Sequence, residues 1–368
     1  MGKVQTTRIG IEAYRGLTAF GDAHTTCQAL LDNRIALKPT PVLGNDGGDL
    51  VPLAGLNGYD ETLPPRWLPE LETLANSLPD LPWGSARYPV FLTSSNYDVG
   101  SLYTAKATGN QDHLKFGTPA RTLELLKKLF NWGPNAIALS HACVTANVGI
   151  EMASRHIHLG LADKALVFSF DFISPFVAGG FHALKILNEH LPAPYEDRGI
   201  GSIALGDGAG YVVLSGQEQD FNIENNFLYN EMYHFTSNDP TASGFQEVAK
   251  LIKASTEESK IWIKGHGTGT LDAGRMEATS LQESFPDSPL VSWKGSIGHT
   301  LGSCGIVELS IVIEAMKAGR CPGTVGTNKN TMASNVATDS FDISGYRSAA
   351  LLSNAFGGAH AGCIISHA

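Results

Sequence analysis

The sequence predicts an α/β fold made of two similar halves, and two observations carry that prediction. Short apolar runs alternate with segments of helical periodicity, the pattern of largely parallel sheets covered by helices. The alternation then restarts after about Gly216, so residues 1–216 and 217–368 read as two related units. Composition agrees with a packed core. Of the 368 residues 43% are hydrophobic and 17% charged, and a chain of this length buries roughly 75% of its unfolded surface without disulfide staples.

The strand signals fall, in order, at residues 88–93, 136–140, 165–170, 210–214, 261–264, 290–293, 349–353 and 363–366. Between them lie helical patterns at residues 122–130, 146–159, 245–254, 275–284 and 306–318. The polar, proline-rich stretch 43–83 carries few strand signals and reads as a surface excursion with one helix near residues 68–78.

Charge and cysteine usage narrow the function. A net charge of −10 argues against nucleic acid as the partner, because phosphate binding needs clustered Lys and Arg. No apolar run is long enough to span a bilayer, and residues 1–8 lack the apolar stretch of a signal peptide. The five cysteines are odd in number, widely spaced and without a CxxC pair. Neither a disulfide framework nor a zinc cluster is expected, and a cytoplasmic, reducing setting fits best.

Three residues stand out as chemistry. In the run AIALSHACVTANVGIEM, an apolar strand enters a small-residue turn at His141-Ala142-Cys143 and a helix follows. A thiol at that junction faces unpaired N–H groups and the helix dipole, which favour a thiolate by about 0.3–1 kcal/mol; full activation needs a neighbouring base or cation. A lone cysteine is more often a small core residue, and Cys27, Cys304, Cys321 and Cys363 are read that way.

Two Gly-flanked histidines follow. His266 opens HGTGT after the strand IWIK, and His299 closes WKGSIGH, with Lys294 five residues before it and Glu308 nine after. Alternating glycines let backbone approach a ligand closely. The run does not fit GxGxxG, and Gly206-Asp207-Gly208-Ala209-Gly210 leads into a strand rather than a helix, so neither is read as a phosphate loop. One loop histidine is more often structural, and metal ligation would need a third ligand that neither motif supplies. Cys143, His266 and His299 each follow a strand end, where sheets of this class bind ligands, so the three are expected to converge on one acyl-transfer site.

At these residues the chain resembles the elongating β-ketoacyl-acyl carrier protein synthases. Ala142-Cys143 is similar to their nucleophile motif, His266–Thr270 with Glu277 to HGTGT, Lys294–His299 to KSxxGH, and Asp197-Arg198-Gly199 through Gly210 to RDGF…GEGAG. Weaker similarity reaches residues 16–39, an opening strand and first helix, and the glycine loop 354–358. The resemblance implies a thiolase-like fold, layered α-β-α-β-α. The nucleophile-bearing half would be 1–216 and the histidine-bearing half 217–368. It also implies roles. Cys143 would accept the acyl chain, while His266 and His299 would promote malonyl decarboxylation and stabilise the enolate. Lys294 and Glu308 would support the histidines, Thr268 and Thr270 would contact the pantetheine arm, and the N–H groups of Cys143 and Phe356 would form the oxyanion hole. No metal and no resident cofactor is expected, since phosphopantetheine arrives on an acyl carrier protein supplied in trans. A homodimer, or a heterodimer with a related ketosynthase-like subunit, is the implied assembly. Arg121, Lys127 and Lys128 are candidates for a basic carrier-docking patch, or an ordinary solvated helix face.

The sequence also departs from the family. Gly295 replaces the usual Ser, Gly274 stands where Asp is common, Val144-Thr145-Ala146 is bulkier than the usual small run, and the 354–358 loop is about two residues short. Because that loop gates the acyl pocket, a specialised lipid, polyene or polyketide substrate is as well supported as ordinary fatty acids. The alternative is a chain-length-factor-type partner subunit without catalysis, which the presence of Cys143, His266 and His299 opposes.

Overall fold

One mixed sheet runs through the whole chain, and its strand order accounts for the restart in the sequence. The computed structural model describes residues 8–44, 47–234, 236–256 and 260–368. The first half supplies β1 (Ile9–Thr18), β2 (Val90–Thr93), β3 (Ala136–Leu139), β4 (Lys164–Asp171) and β5 (Gly208–Ser215). The second supplies β6 (Phe221–Asn230), β7 (Ile261–Lys264), β8 (Leu290–Val291), β9 (Ser348–Ala355) and β10 (Ala359–His367). Their order in space is β3-β2-β4-β5-β1-β6-β10-β9-β7-β8. Outward from β1 the neighbours β5 and β4 join antiparallel, then β2 and β3 parallel. Outward from β6 the same series recurs with β10, β9, β7 and β8. The two halves meet where β1 and β6 pair at Ile9–Ile223 and Gly10–Asn222.

Six helices build the layers: α1 (Leu68–Asn76), α2 (Pro119–Leu129), α3 (Thr145–His158), α4 (Ser243–Ser255), α5 (Leu271–Ser284) and α6 (Cys304–Ala318). α3 packs on β2 and β4 of one half and on β6 and β10 of the other; α6 packs on β1, β5 and β9, and the two helices touch each other. They form the middle layer. α6 is buried at eleven of its fifteen positions, which is why it is apolar on every side rather than along one stripe. α1 and α2 cover the outside of the first half, and α4 with α5 that of the second.

Strands inside such layers are buried on both faces and read as continuous apolar runs. β4 (KALVFSFD) and β5 (GAGYVVLS) are buried at nearly every position, and Phe168 stacks on its cross-strand partner Tyr211. β6 is the exception. Its FNIENNFLYN carries four asparagines and one glutamate, and it bulges between Ile223 and Asn225. Asn226 uses its amide to reach Ser154 Oγ on α3 at 3.0 Å.

The stretch 43–83 is more ordered than its composition suggests. Lys38–Pro41 and Leu50–Ala54 pair as strands, and Leu53 and Ala54 extend the small sheet to Leu205 and Gly206. Prolines in both strands, Pro39 and Pro41 in one and Pro52 in the other, mask the pattern. The expected helix is α1. Among the described residues no helix is long and apolar enough to cross a membrane.

Candidate active site

The nucleophile elbow is built by a strained turn. β3 ends at Leu139, Ala142 takes φ +47°, and α3 begins at Thr145. A left-handed non-glycine residue costs roughly 1–2 kcal/mol. The turn holds because the Thr145 hydroxyl accepts from His141 N at 2.7 Å and donates to Ala142 O at 2.5 Å. Val144, Thr145 and Ala146 are buried beneath it and Cys143 is left half-exposed. The bulkier run after the nucleophile is therefore what anchors the turn.

His266 follows β7 after Gly265, and one carboxylate shapes its loop. Glu277, from α5, accepts from His266 N at 2.7 Å, Gly267 N at 2.9 Å and the Tyr195 hydroxyl at 2.8 Å, with Asn354 Nδ2 at 3.4 Å. Gly267, at φ +36°, has no room for a side chain: a Cβ there would lie 2.6 Å from Ser292 Cβ and 2.7 Å from the Tyr195 ring.

His299 does not follow a strand directly, contrary to expectation. β8 stops at Val291, and a single turn of helix, Lys294–Ile297, intervenes. His299 is instead fixed by its backbone, donating to Ala204 O at 2.7 Å and accepting from Gly206 N at 3.0 Å. This explains the glycine run at 206–210. A Cβ on Gly206 would meet Ile297 O at 2.0 Å, and one on Gly208 would meet Thr300 Cβ at 2.6 Å. Asp171, at the end of β4, holds the far side of the loop. It accepts from Gly302 N at 2.6 Å, Ser94 Oγ at 2.6 Å, Ser95 Oγ at 2.9 Å, and the Ser95 and Asn96 amides.

The three side chains meet. Cys143 Sγ lies 3.0 Å from His299 Nε2, and the His266 and His299 rings stand 5.0 Å apart at 88°. Behind them Glu308 pairs with Lys294 at 2.6 Å and also with Lys264, the last residue of β7, at 2.5 Å. The sequence reading missed Lys264; a charged residue ending an otherwise apolar strand was its one signal. Burial, reinforced by Lys294, drives both imidazoles well below their ordinary range. Burial likewise pushes the Cys143 thiol up, against the pull of Lys294. Both directions favour a neutral thiol beside neutral imidazoles near neutral pH. Cys304 is buried, as expected of a core cysteine, but it also donates to the Cys143 carbonyl at 3.2 Å.

The remaining residues lie around this centre. Thr268 and Thr270 are half-buried, with hydroxyls 3.3 Å apart. Phe356 follows β9 directly, is 45% exposed, and stacks on Phe181 at 6.3 Å. Ala355, just before it, packs with Val144 and Cys143. A cavity of about 360 Å³ opens beside the elbow between Ser140, His141 and Val148 of one half and Tyr229, Asn230 and His360 of the other. Arg121 and Lys127, on α2, bond locally to Leu114 O and Glu124. Among the described residues no cluster of three His, Cys, Asp or Glu could hold a metal.

This geometry can be set beside known proteins. Residues 127–220 match the model of the β-ketoacyl synthase N-terminal domain, and residues 227–328 that of its C-terminal domain. The chain is 28% identical over 274 residues to 3-oxoacyl-[acyl-carrier-protein] synthase 2 of Coxiella burnetii, a match covering 68% of this chain and 64% of that protein. The chain thus spans less than two thirds of that relative. A ketosynthase solved in complex with its chain length factor from Xenorhabdus doucetiae superposes with TM-score 0.79 at 22% identity, covering 100% of both chains. A β-ketoacyl synthase from Burkholderia phymatum superposes with TM-score 0.81 at 20% identity, covering 98% of this chain and 100% of that one. With both domain models matched in order, and the thiolase-like fold shared end to end, the chain belongs to the β-ketoacyl synthase family.

Proposed function

We propose that this chain catalyses decarboxylative condensation of a Cys143-bound acyl group with malonyl-acyl carrier protein. The observation that carries the reading is the 3.0 Å contact of Cys143 Sγ with His299 Nε2, with the His266 ring alongside. Cys143 sulfur attacks the acyl thioester, the carrier thiol leaves, and the N–H groups of Cys143 and Phe356 take the oxyanion. A malonyl thioester then loses its carboxylate as CO2. The two electrons of that bond become an enolate, whose oxygen accepts hydrogen bonds from His266 and His299 Nε2. Neutral imidazoles suit that task because each is an N–H donor without a charge to lose. The carbanion attacks the acyl-Cys143 carbonyl, the thiolate leaves, and a β-ketoacyl carrier thioester departs. Lys294 and Glu308 set the local field, and Thr268 and Thr270 meet the pantetheine arm that the carrier protein brings.

β3 is an unpaired sheet edge with Ile137 40% exposed, which fits docking of a second copy or of a related ketosynthase-like subunit. Five free thiols fit a reducing cytoplasm. The acyl group belongs to fatty-acid-like, polyene or polyketide synthesis. The test is reconstitution with acyl- and malonyl-carrier proteins. Formation of CO2 and a β-ketoacyl carrier product in equal amounts is expected. Folded protein that makes neither with any acyl chain, alone or with a related subunit, would leave the non-catalytic partner as the better reading.

A further inference from the structure

Three ionisable side chains share one closed volume behind the histidines. Glu308 of α6 meets Lys294 at 2.6 Å and Lys264 of β7 at 2.5 Å, and none of the three is more than 1% exposed. One carboxylate cannot neutralise two ammonium groups, and burying an unmatched charge is costly. Among the described residues no neighbour supplies the missing negative charge. Cys304, at the head of α6, is kept a thiol chiefly by burial. His266 and His299 carry none. Asp171 is occupied by its five donors, and Glu277 by the His266 and Gly267 amides and Tyr195. What Lys264 does have is the Trp293 ring, 5.9 Å from its nitrogen, which accommodates a cation.

We propose that Lys264 is a positioning residue whose ammonium, unmatched within the cluster, holds His266 and His299 neutral and favours negative charge on a substrate oxygen between them. The proposal rests on the condensing-enzyme reading of the site for its consequence, not for its electrostatics. Positive charge nearby disfavours an imidazolium, and Lys264 adds to burial and Lys294 in that direction at both rings. The same surplus would stabilise an enolate. Burial, partly offset by Glu308, lowers Lys264 itself to about 8. Above that pH the cluster loses its extra charge, and enolate formation should slow while the fold persists.

The experiment compares wild type with Lys264→Met and Lys264→Arg, following malonyl-carrier decarboxylation against pH and, in parallel, the NMR titration of His266 and His299. Wild type should keep both imidazoles neutral down to pH 5.5 and lose decarboxylation above about pH 8. Lys264→Met should decarboxylate about tenfold more slowly at pH 7, with KM little changed. Its alkaline limb should vanish and both histidines should titrate at higher pH; Lys264→Arg should restore the wild-type pattern. A purely structural lysine would alter melting temperature and leave the limbs and histidine titrations unmoved, which overturns the proposal. Should the variants not fold, the wild-type titration decides: a histidine protonating near pH 6.5 overturns it. Should wild type not decarboxylate at all, the condensing reading fails, and the histidine shifts in Lys264→Met still decide the role of Lys264.

Discussion

Cys143, His266 and His299 are legible in the sequence because each sits among small residues, a local feature that sequence displays. The groups that hold them are not. Asp171, Glu277 and Lys264 act across strands and loops far apart in the chain, and although Lys264 stands out as a charge ending an apolar strand, no local pattern names the partner of any of the three. Glu277 stands out beside HGTGT, but its hold on the His266 and Gly267 amides is tertiary. A prediction belongs at this scale. His266→Ala and His299→Ala should each slow malonyl decarboxylation about a hundredfold or more, yet slow acyl loading of Cys143 less than tenfold. Single-turnover assays with radiolabelled malonyl carrier check it. Equal losses in both steps would contradict the donor role.

Elements show where family departures came from. Gly295 stands where the family has serine, and the reason is steric: a Cβ there would lie 2.0 Å from the Val325 carbonyl oxygen. Gly295→Ser should therefore destabilise the protein by about 1–3 kcal/mol, read from urea denaturation. Gly274 is the opposite case. It lies inside α5 and a Cβ would touch only Met332 Sδ at 3.6 Å, so Gly274→Ala should stabilise by about 0.5–1 kcal/mol. Apolar strands such as β4 and β5 are legible from composition, whereas β6 is not, because its amides find tertiary and local partners, Asn226 at Ser154 of α3, Asn225 at Ser255 of α4 and Asn222 at the Gln219 carbonyl, and its bulge breaks any alternation. The helices Gly100–Thr108 and Pro175–Ala183 also went unread. The first has little amphipathic pattern and the second buries only Ala178.

At the scale of the molecule, the site exists because the two halves repeat one strand order and share the middle layer of α3 and α6. Cys143 comes from the first half and both histidines from the second. Burying two neutral imidazoles there gives stability a pH dependence whose sign is fixed. Their folded affinity for protons lies below the unfolded value of about 6.5. The unfolded chain binds more protons as pH falls, so stability is present above pH 6.5 and lost below it, by up to about 1.4 kcal/mol per pH unit for each ring. Urea midpoints between pH 7.5 and 5 should fall accordingly; a flat profile would mean the rings take up protons in the fold as readily as in the unfolded chain, and a rising one that they are charged there. The account as a whole turns on the sulfur being the acyl acceptor. Intact-protein mass spectrometry after incubation with acyl-carrier proteins of graded chain length measures that directly. One acyl group should appear, on the peptide containing Cys143, and should be absent from a folded Cys143→Ala variant. No adduct on wild type with any chain, or an adduct that persists in Cys143→Ala, would contradict it.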